Sequence, residues 1–288
     1  MKNRSLGASI AVTTNYILLI LIGAATLFPF VYVIGASFTT ESEMLRRGIV
    51  LIPEDFTLEA YRIVFSGLGI NKAYSITLFR TIVGTALNLL FTALGAYALS
   101  KKALPGRSGL LMFIVFTMLF SGGMIPTYIL VKSLGLLNSV WVLILPGLVS
   151  VFNFLVMKTF FEQLPLELEE AARIDGSGEL QMLWKIVIPL SLPSFATIGL
   201  FYAVYHWNSY FDAVMYITKP DLMPIQVVLR NILMAAQFTS SESSSGTPVN
   251  IIAIQMATVL VSTVPILCVY PFIQKHFAKG VMLGSVKG

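Results

Sequence analysis

Residues 164–189 read LPLELEEAARIDGSGELQMLWKIVIP, and the reading of this stretch decides how the rest of the chain is understood. Glu162, Glu167, Glu169, Glu170, Arg173, Asp175, Glu179 and Lys185 fall inside it or at its edge, and long apolar runs flank it on both sides. It therefore reads as a water-exposed loop between two membrane spans. The order of its residues predicts a short helix. Pro165 suits the first helical position, the acidic residues that follow favour the positive helix end, and Gly176 supplies a left-handed stop. By helical spacing Leu168, Ala171, Ala172 and Asp175 share a side. A short helix with a small-residue face, standing off a membrane, predicts a docking surface; the plainer alternative is an amphipathic connector.

Composition agrees with a membrane setting. Of 288 residues 56% are hydrophobic and 11% charged, and the mean hydropathy is +0.83. A soluble domain of this size needs more charge to cover its surface, so the class is an all-α, polytopic membrane protein. A spanning helix takes about 20 apolar residues, which leaves room for roughly six. One cysteine, Cys268, excludes an internal disulfide. The 19 Lys and Arg against 14 Asp and Glu form no stripe, so the basic excess points to membrane orientation and not to nucleic acid.

The expected spans are 10–38, 73–100, 110–131, 140–161, 186–211 and 251–273, within a single transmembrane domain, 1–288. The first is too long for a signal-peptide core. An outer segment, 39–72, carries a short helical pattern after Thr57. Gly and Pro interrupt the third span at 121–126 and the fourth at Pro146-Gly147. A second outer segment, 212–250, holds a Ser-rich patch at 240–245, and 274–288 is a basic tail. Lys2, Arg4, Lys101, Lys102, Arg107, Lys158, Arg173, Lys185, Lys275, Lys279 and Lys287 then fall on one side. The positive-inside rule puts both termini and the loop 162–185 in the cytoplasm.

Arg80 stands near the start of the second span, and no Asp, Glu, Lys or Arg is expected near the middle of any span, which argues against a proton-coupled carrier. The chain contains no G-x-x-x-x-G-K-[ST], so it lacks a P-loop of its own. No His/Cys/carboxylate set has catalytic or metal-ligand spacing, so no catalytic residue, metal or cofactor is expected in this chain. The remaining energy source is external, and the charged loop is its entry point. For the solute, the end of the fifth span draws attention: Tyr202, Tyr205, His206, Asn208 and Asp212, with Trp207 and Tyr210 between them. Amides and a carboxylate suit sugar hydroxyls, and aromatic rings suit sugar C–H faces. An interfacial aromatic belt explains the same residues equally well. Tyr205, Asn208 and Asp212 are expected on one helical face, Tyr202, His206 and Ser209 on another. Asn88, Asn153 and Gln255 are isolated polar residues inside spans, either lining a pathway or bridging helices.

Glu170-Ala171-Ala172, Gly176, Ile186 and Pro189 resemble the EAA signature of bacterial ABC importer permeases: EAA, three residues, Gly, nine residues, then I-x-L-P, with Ile188 in place of Leu. The resemblance implies the type I ABC importer permease fold. It implies a coupling helix that sits in a cleft of a cytoplasmic ATPase, with Glu169, Glu170, Ala171, Ala172, Asp175 and Gly176 as coupling residues. It further implies a second permease subunit, two ATPase subunits that bind ATP and Mg, and an extracellular solute-binding protein, all at a bacterial plasma membrane. Trp207-Asn208 is similar to the W-N-[ED]-F of maltose-type carbohydrate importers, although Ser209-Tyr210 replaces the acidic-aromatic pair and the following Pro-Leu is lost. The stretches 120–128, 135–138, 206–212 and 279–288 look closest to the subgroup for complex oligosaccharides, including pectin and other uronate-bearing glycans. The expected function is import of an oligosaccharide by ATP-driven alternating access. A permease for an amino acid or peptide would share the loop; an ion-coupled carrier would not need it.

Overall fold

The computed structural model describes residues 6–67, 69–239 and 251–285. Among them the chain is helical throughout, with one isolated antiparallel bridge between Thr39 and Phe56. In chain order the helices are α1 (Leu6–Ser37), α2 (Glu41–Arg47), α3 (Glu59–Gly67), α4 (Ile70–Ser100), α5 (Arg107–Leu119) and α6 (Met124–Ser133). Two 3₁₀ turns, Val140–Leu143 and Leu145–Gly147, lead into α7 (Val151–Glu162) and α8 (Leu166–Ile174). Next come α9 (Glu179–Met182), a π-helical turn (Leu183–Val187), α10 (Ile188–Leu190), α11 (Leu192–Asn208) and α12 (Phe211–Tyr216). A 3₁₀ turn (Pro220–Leu222), α13 (Ile225–Thr239) and α14 (Ile251–Ser285) complete the chain.

Among the described residues three helical stretches are long and apolar enough to cross a membrane unaided: Val12–Ser37, Ile70–Ser100 and Ile251–Cys268. Three further pairs qualify only when joined across a bend. α5 and α6 meet at 111°, the 140–147 turns and α7 at 53°, and the α9–α10 segment and α11 at 85°. Six spans result when each bent pair counts as one. The bends follow local chemistry. Gly123 opens α6 at φ 88°, Pro146 sits inside a 3₁₀ turn, and Pro189 and Pro193 bracket the corner at Ser191, where a proline removes a ladder donor.

The fold corrects several expectations. The fifth span does not run straight over 186–211. Residues 186–190 lie across the 85° corner from α11, and helix stops at Asn208. Ser209 is extended at ψ 129°, so Asp212 belongs to a new helix and cannot share a face with Tyr205 and Asn208. The segment 212–250, expected as an outer loop, contains most of α12 and the apolar, amphipathic α13, and α14 continues past the expected span end at 273 to Ser285. Pro165 precedes the first turn of α8 instead of opening it. Residues 240–245, Lys2, Arg4 and Lys287 lie outside the described residues.

The chain forms two compact units, residues 1–70 with 229–264 and residues 71–228 with 265–288. In the first, the apolar window of α1 is not covered by the rest of the chain, so its surface demands lipid or another protein. At its end Ala36, Met44 and Val50 form a small core with Tyr32 and Met256, and Phe38 stacks between Phe56 and Tyr61 at 4.8 and 4.9 Å. Gly35 lets the Leu51 backbone come so close that no Cβ would fit. In the second unit a cluster built on Ala93, Ala96, Tyr97, Phe154, Met157, Phe161, Leu183, Ile198 and Tyr202 ties α4 to α7, the π-helical turn and α11. Another, Val131, Leu143, Ala213, Tyr216 and Val227 among its members, joins α6, the 3₁₀ turns, α12 and α13.

Candidate functional site

The loop 162–185 is a capped helix held on one edge. Glu167 and Glu169 lie in the first turn of α8 and Arg173 in its last, complementing the helix dipole. Gly176, at φ 77°, ends it. The Ser177 N–H donates to the Ala172 carbonyl at 2.9 Å and the Gly176 N–H to that of Arg173 at 3.0 Å, the paired 6→1 and 5→2 bonds of a Schellman cap. The predicted common side divides. Ala172 is 6% exposed and packs inward, whereas Leu168, Ala171 and Asp175 remain in solvent. The free face consists of Leu168, Glu170, Ala171 and Ile174, the last 86% exposed.

The other edge is clamped to the end of α4. Lys101 Nζ lies 2.5 Å from Glu169 Oε1 and 4.2 Å above the Tyr97 ring. The Tyr97 hydroxyl donates to Glu179 Oε2 at 2.7 Å, and Glu179 Oε1 accepts from Arg173 at 2.8 Å. At the end of α7, Glu162 pairs with Arg107 and with Lys158, and Arg107 also donates to the Leu99 carbonyl at 2.8 Å. Glu169 is thus engaged within its own chain, while Glu170 is free to meet a partner.

A second constellation runs along α4. Arg80 is fully buried and forms a two-point ion pair with Asp212 at the start of α12. It also donates to the Ser209 carbonyl at 3.1 Å and to His206 Nδ1 at 3.4 Å. With Nδ1 accepting, His206 Nε2 carries the hydrogen and donates to Asn88 Oδ1 at 3.1 Å, and the Asn88 amide donates to the Gly147 carbonyl at 2.8 Å. Gly84 makes this possible, because a Cβ there would lie 2.5 Å from His206 Nε2. One turn further, Thr92 and the Tyr202 hydroxyl meet at 2.8 Å, and that hydroxyl accepts the Ser150 N–H at 3.0 Å. Towards the other end, the Thr77 hydroxyl accepts the Ile225 N–H that opens α13. Backbone freed at a bend inside a membrane has no water to turn to. Here α4 supplies partners to the Gly147 and Ser209 carbonyls, and Tyr202 of α11 one to the Ser150 N–H.

The candidate pathway residues therefore separate into two groups. Asn88, Tyr202 and His206 are almost wholly buried, Asp212 is engaged by Arg80, and Asn153 is buried in the first turn of α7. Tyr205, 51% exposed, and Asn208 keep open faces, although the Asn208 amide donates to the Val204 carbonyl. Arg80, which the sequence reading sets near the start of the second span, is the eleventh of the 31 residues of α4, about a third of the way along it. Its signal was the spacing Arg80, Gly84, Asn88, Thr92, four residues apart on one helical stripe. Among the described residues no three His, Cys, Asp or Glu side chains are grouped as a metal would require.

Residues 94–283 match the family described as the binding-protein-dependent transport system inner membrane component. Over 100% of both chains the protein is 48% identical to the polygalacturonan/rhamnogalacturonan transport system permease protein YtcP of Bacillus subtilis (strain 168). It is 30% identical to the arabinooligosaccharides transport system permease protein AraQ of Halalkalibacterium halodurans, over 91% of each chain. Among solved structures it is similar to a bacterial ABC transporter involved in the import of the acidic polysaccharide alginate, with a TM-score of 0.86 and 32% identity over 96% of this chain and 100% of that one. The family match takes in the clamped loop, all three bends and the last span, and the chain belongs to the inner membrane components of binding-protein-dependent transport systems, as a permease subunit.

Proposed function

We propose that this chain is one of two membrane subunits of a bacterial ABC importer that carries an oligosaccharide into the cytoplasm. A second permease, two ATPase subunits and an extracellular solute-binding protein complete the complex, and ATP with Mg is bound by the ATPases. The single observation that carries the reading is α8, a capped helix on a charged loop whose inner edge is clamped while Glu170, Ala171 and Ile174 stay uncovered. Such a face has no use within the chain and suits a cleft in a soluble partner. Both termini and this loop lie on the cytoplasmic side, where the short basic segments gather.

In the cycle, closure of the ATPase dimer draws the two coupling helices together and turns the pathway outward to receive the solute; hydrolysis reverses the movement. This chain binds no nucleotide. Glu170, Ala171, Asp175 and Gly176 shape and present the coupling face, with Ala172 and Glu169 fixing it from behind. Tyr205 and Asn208 offer a ring and an amide to the solute. Relatives named for polygalacturonan, rhamnogalacturonan and arabinooligosaccharides, with the alginate importer, support a glycan, and three of those four polymers carry uronates.

The test is reconstitution of the complete complex in proteoliposomes and uptake of labelled oligogalacturonides. ATP-dependent accumulation that requires the binding protein is expected. Accumulation without ATPase subunits, or none with any glycan that the cognate binding protein binds, would overturn the reading.

A further inference from the structure

We propose that Tyr97 and Lys101 are positioning residues of the transport cycle, linking the coupling loop to the two backbone breaks at 144–150 and 208–211 by way of α4. The inference rests on the ABC reading above and adds to it a route by which loop movement reaches the pathway. α4 is the unbroken member of its unit: 31 residues, about 46 Å at the helical rise. The other span-forming segments of that unit, within the described residues, are bent by 53° to 111°. A straight helix carries displacement along its length, whereas a bent pair can absorb it by flexing at the corner.

The contacts divide along α4 by purpose. Away from the loop, Arg80 holds Ser209 and Asp212, and Asn88 holds Gly147. Thr92 reaches Ser150 through the Tyr202 hydroxyl. At the loop end Lys101 meets Glu169 in α8, and Tyr97 meets Glu179 beyond the Gly176 turn. The two links straddle the Schellman turn, so the loop cannot pivot about Gly176 without moving α4. Lys101 and Glu169 have side chains 19% exposed each, which shields their attraction from the screening that makes surface pairs weak. Neither Tyr97 nor Lys101 belongs to the free face of α8, and Tyr97 is buried, so removing its hydroxyl leaves that face unchanged.

The experiment uses the assembled importer in membrane vesicles. Cys268, exposed and the chain's one cysteine, is replaced by Cys268→Ser, and Tyr210→Cys serves as reporter at the outer break. Maleimide labelling of this chain is compared with and without Mg-ATP plus vanadate, a readout that does not depend on which solute is carried. Lys101→Glu and Glu169→Lys should each assemble with the ATPases yet reduce the nucleotide-dependent change about ten-fold, and the double swap should restore it to within about three-fold. A full response in either assembled single variant, or no recovery in the swap, would overturn the link. Where a charge reversal blocks assembly, Tyr97→Phe decides: loss of one hydroxyl should lower the response about three-fold, and an unchanged response overturns the proposal. A parent complex without any nucleotide response removes the ATP-driven reading itself, and the link with it.

Discussion

Arg80 of α4 and Asp212 of α12, 132 positions apart, form an ion pair in which the guanidinium is wholly buried. The guanidinium also donates to the Ser209 carbonyl and to His206. An arginine in a membrane span is tolerable on such terms, paired with a carboxylate and hydrogen-bonded through each of its three nitrogens. The pair also seats the segment that joins α11 to α12, where two residues leave the helix.

Removing one member of this pair should do more harm than removing both. Asp212→Ala leaves Arg80 charged and without a counter-ion, and a loss of about 3–5 kcal/mol is expected. Arg80→Met combined with Asp212→Leu replaces the charges with apolar bulk and should recover most of it. Thermal unfolding of the purified complex in detergent measures both; a double variant no better than Asp212→Ala contradicts the assignment.

Why the sequence announces some of this and hides the rest is a matter of range. The loop 162–185 was legible because its signals are local: charge between apolar runs, acid in the first turn, glycine at the stop. So were the interruptions at 121–126 and 146–147. The direction in which Ala172 points was not, since adjacent alanines lie about 100° apart on a helix and only the neighbour they meet says which is inside. Nor was the role of Asn88, Tyr202 and His206. Polar residues in a span must face something, and the sequence leaves a pathway, an aromatic belt and a bridge between helices all open; the partners these three meet, Arg80, Thr92, the Gly147 carbonyl and the Ser150 N–H, lie far away in the chain, where no local pattern reaches. The corner at Ser191 was within reach through Pro189 and Pro193, but its 85° depends on packing that no periodicity records.

Gly176 offers a graded test of the proposed coupling role of α8. A Cβ at this position would touch nothing within 4 Å, so substitution is penalised by backbone conformation alone. At φ 77° alanine should cost about 1–2 kcal/mol and asparagine less. Proline cannot adopt that φ and also removes the N–H that caps Arg173. ATP-driven uptake should therefore fall in the order glycine, asparagine, alanine, proline, with membrane insertion intact in all four. Equal uptake across the series would show that the cap does not set coupling.

Asn138 should tolerate aspartate far better than leucine. It is the non-glycine residue with positive φ, 56°, among those described. Its Oδ1 accepts from the Thr218 N–H at 2.7 Å, the Thr218 hydroxyl at 3.0 Å and the Lys219 N–H at 3.1 Å. Aspartate retains that oxygen and the tolerance for a left-handed backbone; leucine has neither, and its loss should be about 2–4 kcal/mol from unpaired donors and strain together. Thermal unfolding of the two variants side by side settles the order.

The pH response of the segment that follows α1 depends on Glu43. Its carboxylate is buried beneath the turn that follows α2 and accepts the backbone N–H of Glu54 at 2.9 Å, that of Asp55 at 3.2 Å and the guanidinium of Arg47 at 2.6 Å. The Glu54 N–H first, then that of Asp55 and Arg47, hold the carboxyl below its usual range against the opposing effect of burial. A group whose folded pKa is depressed stabilises the fold in its ionised form. Its contribution is complete above the unfolded value, about 4.3, and disappears as pH falls through the lower folded one. Exchange protection of the Glu54 and Asp55 amides, corrected for intrinsic rates, should be complete at neutral pH and decline progressively as pH falls below the unfolded value. Glu43→Gln should start weaker, because a neutral amide accepts less strongly and no longer pairs with Arg47, and should lose this step. Protection in the parent chain that does not change as pH falls below the unfolded value, or a step that survives in Glu43→Gln, would contradict the assignment to Glu43.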